Sequence, residues 1–256
     1  AEYLDLVNNL PESVASWPSN TTLESDHLGG IPRTNVSVKI SSLSARAHPI
    51  DPEGSIKDLL KRIEPILEVA RDRGVFINFD MEQFELKDLT IELFKRCCER
   101  VDFEAGIAMQ SYLKGGENDA RELSEWAKAS GRIVTVRLIK GAYWDYETIH
   151  AEEMGWPCPV WNVKWQTDAC FERMSEVFLD ATPRAQGEVD SMEPGPIKRD
   201  PGEGGIKLAL GSHNARSIAA ALAGLDARGL PRNAIELQML HGLAAQLKHA
   251  AADATH

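Results

Sequence analysis

The sequence predicts an α/β protein built as a distorted (β/α)8 TIM-type barrel, and three observations predict it. Six short apolar runs rich in β-branched residues alternate with helix-length segments, the mark of parallel βαβ units. The runs are apolar on both faces, as strands covered by helices on each side must be. Polar residues gather at the carboxyl ends of those runs, the end where such barrels carry their chemistry. No Gly-x-Gly-x-x-Gly follows the first run, which argues against a dinucleotide-binding Rossmann fold. Six strand–helix units rather than eight mean that this chain holds part of a barrel.

The elements follow in order. Residues 35–43, "NVSVKISSL", alternate and read as a strand; residues 51–74 have apolar residues at helical spacing and close on Gly74. The strand 75–82, "VFINFDME", precedes the helix 87–101. The strand 103–110, "FEAGIAMQ", precedes the helix 119–132. The fourth strand, "IVTVRLIKGA", starts at residue 133, and its helix is 167–181. The strand 206–214, "IKLALGSHN", pairs with the helix 215–229. The strand 235–242, "IELQMLHG", leads to the helix 243–254. One stretch is off-pattern. Residues 183–205 are rich in Pro, Gly and charge, bury little apolar area, and are expected to form a flexible insertion outside the site.

Composition narrows the function. The 256 residues carry a formal net charge of −11, which argues against nucleic acid as the main partner, because phosphate binding needs clustered Lys and Arg. No apolar run approaches the roughly 18 residues that span a bilayer, and the opening "AEYLDLVNNLPES" lacks the features of a signal peptide. The four cysteines, Cys97, Cys98, Cys158 and Cys170, show no Cys-x-x-Cys spacing. They read as core filler in a reduced, cytoplasmic compartment, and no metal is expected.

The candidate site lies on the strand ends. Lys39 interrupts the first strand, Asp80 ends the second and Gln110 the third. Arg137 and Lys140 bracket the end of the fourth, and His213 and Asn214 end the fifth. A lone lysine in a strand is most simply a salt-bridged or edge residue. Several polar residues on consecutive strand ends are harder to dismiss, because burying unpaired charge is costly.

The run "RLIKGAYWD", with "VSVKISSLSA", "FINFDME", "GIAMQSYLK", "TDACFER", "LALGSHNARSIAAA" and "IELQMLHG", resembles the proline dehydrogenase domain of the proline utilization A (PutA) flavoenzymes. The resemblance covers nearly the whole chain. It implies FAD as cofactor and oxidation of L-proline to Δ1-pyrroline-5-carboxylate, by hydride transfer from proline C5 to flavin N5. It implies that Lys39, Asp80 and Tyr143 act at the substrate, with Lys39 helping to hold the carboxylate and Asp80 paired with it. It implies cofactor contacts from Asp80, Met81, Gln110, Arg137, Lys140, Gly141, Ala142, Tyr143, Trp144, Lys164, Thr167, His213, Asn214 and Gln238. In that scheme Lys140 meets the diphosphate as a point charge. Arg137 stands near the flavin ring, Trp144 packs at the adenine side, and Gly141 and Ala142 let the backbone come close.

The resemblance also sets expectations about what this chain lacks. The family's first strand is expected before residue 1. Its last strand and final helix, which carries two arginines that clamp the proline carboxylate, are expected after residue 256. The insertion at 183–205 is longer than the family's connection, and Asn162 stands where the family usually has Thr. Expected partners are L-proline or an analogue inhibitor, a membrane quinone as electron acceptor, and a fused aldehyde dehydrogenase domain; nucleic acid is not expected. The expected compartment is the cytoplasm, with peripheral attachment at the inner membrane as a variant. Two other readings stay open: a Schiff-base aldolase using Lys39 or Lys140, and a non-catalytic remnant that binds flavin.

Overall fold

The computed structural model describes residues 2–185 and 194–255. In chain order the elements are α1 (Glu2–Val14), α2 (Thr21–Glu24), β1 (Ser25–Asp26), β2 (Gly29–Gly30), β3 (Asn35–Val38), α3 (Ile40–Leu43) and α4 (Pro52–Arg73). There follow β4 (Phe76–Phe79), α5 (Lys87–Arg100), β5 (Ala105–Gln110), α6 (Gly116–Ser130), β6 (Ile133–Ile139), α7 (Trp144–Met154) and α8 (Lys164–Asp180). The last are β7 (Gly205–Gly211), α9 (Ala215–Arg228), β8 (Ile235–Gln238) and α10 (Ala245–Thr255). Strands β3 to β8 bond in sequential order in one sheet, and β1 and β2 form a small antiparallel pair. The pairs β3–β4, β4–β5, β6–β7 and β7–β8 are parallel. Sequential parallel order with a helical crossover at each step is the wall topology of a TIM-type barrel. The fold is therefore α/β with an open six-stranded portion of that wall, as the alternation of runs predicts.

The chain divides into two compact units, residues 1–108 with 187–197, and residues 109–186 with 198–256. In the first, α4 shows how sequence sets an element. Asp51 caps it by accepting the Gly54 N–H at 3.0 Å, Pro52 occupies the first turn, and Gly74 ends it at φ 62°. Its inner face, Ile56, Leu59, Ile63 and Leu67, is fully buried. The Phe79 and Phe94 rings meet edge to face at 5.4 Å, joining β4 to α5. Each such side chain contributes about 1.5–3 kcal/mol by leaving water.

In the second unit, Val134, Val136 and Leu138 of β6 and Leu208 and Leu210 of β7 are buried. Phe171, Met174 and Phe178 of α8 are fully buried at helical spacing. The ion pair of Glu117 with Arg173 ties α6 to α8 along the outside, and Arg121 pairs with Glu117 from the same helix.

Two expectations need correction. The first strand ends at Val38, and residues expected to continue it form the single turn α3. Polar side chains close that turn: the Ser42 hydroxyl donates to the Lys39 carbonyl at 2.6 Å, and the Ser41 hydroxyl donates to Glu82. Part of the 183–205 stretch is docked rather than a free linker. Arg199 N–H donates to the Gly131 carbonyl at 2.8 Å and Gly202 N–H to the Lys128 carbonyl at 2.6 Å; Arg132 and Lys198 form an antiparallel bridge. Gly204 is buried against the Ala127 and Arg132 carbonyls, a place that composition alone does not reveal. The rest of that expectation, at residues 186–193, lies outside the described residues.

Candidate functional site: a cleft with two lysines

The second unit holds a cleft of about 350 Å³ lined by Tyr112, Lys140, Gly141, Trp144, Trp161, Asn162, Lys164 and Thr167. That volume lies near the lower end of the ~300–1,000 Å³ usual for ligand clefts, so it suits a portion of a long cofactor. Its frame is a short antiparallel contact. Trp161 N–H donates to the Tyr112 carbonyl at 2.8 Å and Lys114 N–H to the Pro159 carbonyl at 2.9 Å, around the Leu113–Val160 bridge. Tyr112, Leu113 and Val160 bury one another there, with Cys158 packed alongside. This frame fixes the loop that delivers Trp161 and Asn162, and after them α8.

The cations come from two elements. Lys140 follows the last residue of β6, and Lys164 is the first residue of α8. Both reach one carboxylate, that of Asp168: Lys140 pairs with Oδ1, and Lys164 Nζ lies 2.7 Å from Oδ2. Burial alone raises the Asp168 carboxyl; the hydrogen bonds and charges of Lys140 and Lys164 outweigh it and hold the group below the ordinary aspartate value. Val163, the residue before α8, gives no side-chain cap; in the first turn the Gln166 N–H donates to the Val163 carbonyl at 3.0 Å, and Lys164 and Trp165 begin the helix without a cap from that side chain.

The flat groups are placed as firmly. Trp144 starts α7 and its Nε1 donates to the Trp161 carbonyl at 2.8 Å, spanning one side of the cleft. Gly141 has φ 130°, and any Cβ there would meet the Tyr112 ring at 2.5 Å. Burial, followed by the charge of Glu147, pushes the Tyr112 phenol up, so it stays protonated. The donor set is thus two ammonium groups, an uncapped helix start and indole rings. It fits the diphosphate and adenine end of a dinucleotide such as FAD.

The other expected residues of this unit do not line the cleft. Gln110 is buried at the end of β5, and Arg137 is half-buried on β6, paired in register with Ala209. Ala142 is exposed and Tyr143 stands at the start of α7. His213 Nε2 accepts the Leu240 N–H at 3.0 Å. Asn214 caps α9, its Oδ1 accepting from Arg216 N–H at 3.0 Å and Ser217 N–H at 3.4 Å. Gln238 Nε2 donates to Glu236 Oε1 at 3.0 Å. Sequence reasoning missed Tyr112, Trp161 and Asp168. The Lys164–Asp168 spacing of four, one helical turn, was the available signal for Asp168.

In the first unit, Lys39 is exposed at the start of α3, where its N–H donates to Tyr3 Oη at 3.3 Å. Asp80 Oδ1 accepts from Asn78 Nδ2 at 3.1 Å, and its N–H donates to the Val38 carbonyl. Met81 is buried beside Asp80. Among the described residues, no group of three or more His, Cys, Asp or Glu could hold a metal ion.

Strand order and a strand-end cleft place the chain among the TIM-type α/β proteins. Within that class it belongs to the proline dehydrogenase family, whose model matches residues 1–256. The crystal structure of proline utilization A from Bdellovibrio bacteriovorus inactivated by N-propargylglycine is 34% identical with a TM-score of 0.86. The match covers 100% of this chain and 25% of that one. The bifunctional protein PutA of Klebsiella aerogenes is 25% identical over 213 residues, 81% of this chain and 15% of that protein. The proline dehydrogenase of Deinococcus radiodurans is 26% identical over 228 residues, 88% of this chain and 59% of that protein. The chain thus spans about 15% of the length of the first of these curated relatives. No helix among the described residues is long and apolar enough to cross a membrane.

Proposed function

We propose that this chain is the barrel portion of an FAD-dependent proline dehydrogenase, which oxidises L-proline to Δ1-pyrroline-5-carboxylate. One observation carries the cofactor: Lys140 and Lys164 share Asp168 on the wall of an indole-lined cleft, in a member of the proline dehydrogenase family. When bound, FAD would supply the two-electron acceptor for the hydride that leaves proline C5. Loss of that hydride and of the nitrogen's proton turns the C5–N single bond into a double bond.

The chain's own residues bind and orient. Lys140, Lys164 and the first N–H groups of α8 hold the diphosphate, and Trp144 covers the adenine side. Gln110 hydrogen-bonds the flavin ring, and Arg137 is the cation that balances charge gained on reduction. Ala142 and Tyr143 continue the cofactor side from Gly141, with Thr167, His213, Asn214 and Gln238 as further contacts. In the first unit, Lys39 holds the substrate carboxylate, and Asp80 and Met81 support that end. A fused aldehyde dehydrogenase domain is part of the same proposal for the whole protein, because the Klebsiella relative is a bifunctional PutA.

Purified protein titrated with FAD tests this reading. Expected are stoichiometric binding, visible flavin absorbance and anaerobic bleaching on addition of L-proline. A colourless protein that takes up no FAD, or an adduct trapped by borohydride with a carbonyl compound, would overturn it.

A further inference from the structure

We propose that Asp168 is a positioning residue: its two carboxylate oxygens hold the ammonium groups of Lys140 and Lys164 together as one clamp for the diphosphate of the cofactor. The proposal rests on the FAD reading above and extends it to a residue that touches neither substrate nor cofactor.

The geometry divides the carboxylate evenly. Oδ1 takes Lys140 from the end of β6, and Oδ2 takes Lys164 from the start of α8. Both lysines line the cleft and Asp168 does not, so the carboxylate stands behind the two charges it orients. The Asp168 side chain is 20% exposed while that of Lys164 is 78% exposed. A surface lysine therefore reaches back to a shielded anchor. Lys140 is fixed from a second direction, its Nζ lying 5.7 Å from the centre of the Phe171 ring.

Helix stability does not explain the arrangement. A lysine at the first residue of a helix opposes the helix dipole, and lysine before an acidic partner is the weaker order for a pair one turn apart. The chain accepts both costs at Lys164. What the arrangement yields is two cations with one anion, a net positive charge held at a fixed spacing beside an uncapped helix start.

Removing the carboxylate has two opposed effects on an anion. It deletes a nearby negative charge, which favours binding, and it frees two long side chains, which opposes it. For an ammonium as exposed as that of Lys164 the charge effect is screened by water and salt, so the loss of order prevails.

The experiment titrates apoprotein of the full chain with FAD, riboflavin and inorganic pyrophosphate, comparing wild type with Asp168→Asn and Asp168→Glu. Asp168→Asn is expected to weaken FAD and pyrophosphate by about tenfold or more, the worth of a charge-assisted hydrogen bond. Riboflavin, which lacks phosphate, is expected to bind unchanged. Asp168→Glu is expected to recover part of the loss, and Asp168→Asn should add nothing in a Lys140→Met/Lys164→Met background. Equal or tighter FAD binding by Asp168→Asn overturns the proposal, and so does an equal loss for riboflavin, which would mark a purely structural role. A wild type that binds pyrophosphate but not FAD sinks the FAD reading, and the pyrophosphate comparison still decides the clamp. If Asp168→Asn fails to fold, Asp168→Glu carries the test: FAD weakened several-fold at an unchanged melting temperature supports the clamp, and unchanged affinity overturns it.

Discussion

Replacing Gly141 by alanine should damage the protein out of proportion to one methyl group. The backbone there has φ 130°, a region that costs a residue with a side chain on the order of 1–3 kcal/mol. The new Cβ would lie 2.5 Å from Tyr112 Cγ and 2.6 Å from Cδ1 and Cδ2. Tyr112 cannot retreat: it is 2% exposed, its N–H donates to the Lys140 carbonyl at 2.8 Å, and its carbonyl accepts from Trp161. Overpacking of this kind costs about 1–3 kcal/mol more. The expected loss is therefore about 2–6 kcal/mol, a fall in melting temperature on the order of 10 °C for a chain of this size. Urea unfolding followed by circular dichroism reads it as a lower midpoint at unchanged slope. Tyr112→Ala in the Gly141→Ala background should destabilise less than the two single changes combined, because it removes the obstacle. A Gly141→Ala protein within about 0.5 kcal/mol of wild type would refute the reasoning, since strain and overlap would both have to vanish.

Gly204→Ala should also destabilise, by about 1–3 kcal/mol in urea unfolding, because its Cβ would fall 1.9 Å from the Ala127 carbonyl oxygen and 2.6 Å from that of Arg132; wild-type stability would show that the 198–205 segment is not docked. The Asp168 carboxyl is held low when folded, so its stabilisation is complete above the unfolded value of about 3.9 and is lost as pH falls through the folded value. The stability gap between wild type and Asp168→Asn should therefore be on the order of 1 kcal/mol or less near neutrality, because water screens the pair, and should close in acid; a gap that widens in acid contradicts the assignment. Lys39→Met should weaken a carboxylate inhibitor such as tetrahydrofuroic acid while leaving FAD content unchanged; equal inhibitor affinity would remove Lys39 from the substrate side.

The sheet was legible because burial leaves a strong imprint, strongest in β5, which is buried along its whole length. The runs around Ile77, Ile107, Val136, Leu208 and Leu237 each fall within a strand, and Gly74 and Gly229 end helices where expected. Helix α7 was not legible, and its packing shows why. Only Glu147 and Ala151 are buried along it, while Tyr146, Ile149 and Met154 are exposed, so no apolar stripe marks its period. At the cleft, Lys140, Gly141, Trp144, Lys164 and Thr167 were readable as part of a motif. Tyr112 and Trp161 were not, because their pairing joins distant segments; Asp168 had a signal in Lys164 one turn before it, but its second partner, Lys140, lies on another element. Asn214 shows the reverse case: its side-chain oxygen is taken up by helix capping, a local use that a strand-end position does not reveal.

The Trp144–Trp161 bond gives the cleft its own optical signal. Of the six tryptophans, Trp144, Trp156, Trp161 and Trp165 fall within a short span of chain, and two of them form the cleft wall. Indole emission overlaps flavin absorption, so FAD held there by its diphosphate end should quench the native fluorescence without any added label. Replacing Trp144 and Trp161 by phenylalanine should reduce the cofactor-dependent change, so filling of the cleft can be followed in real time from the protein's own light.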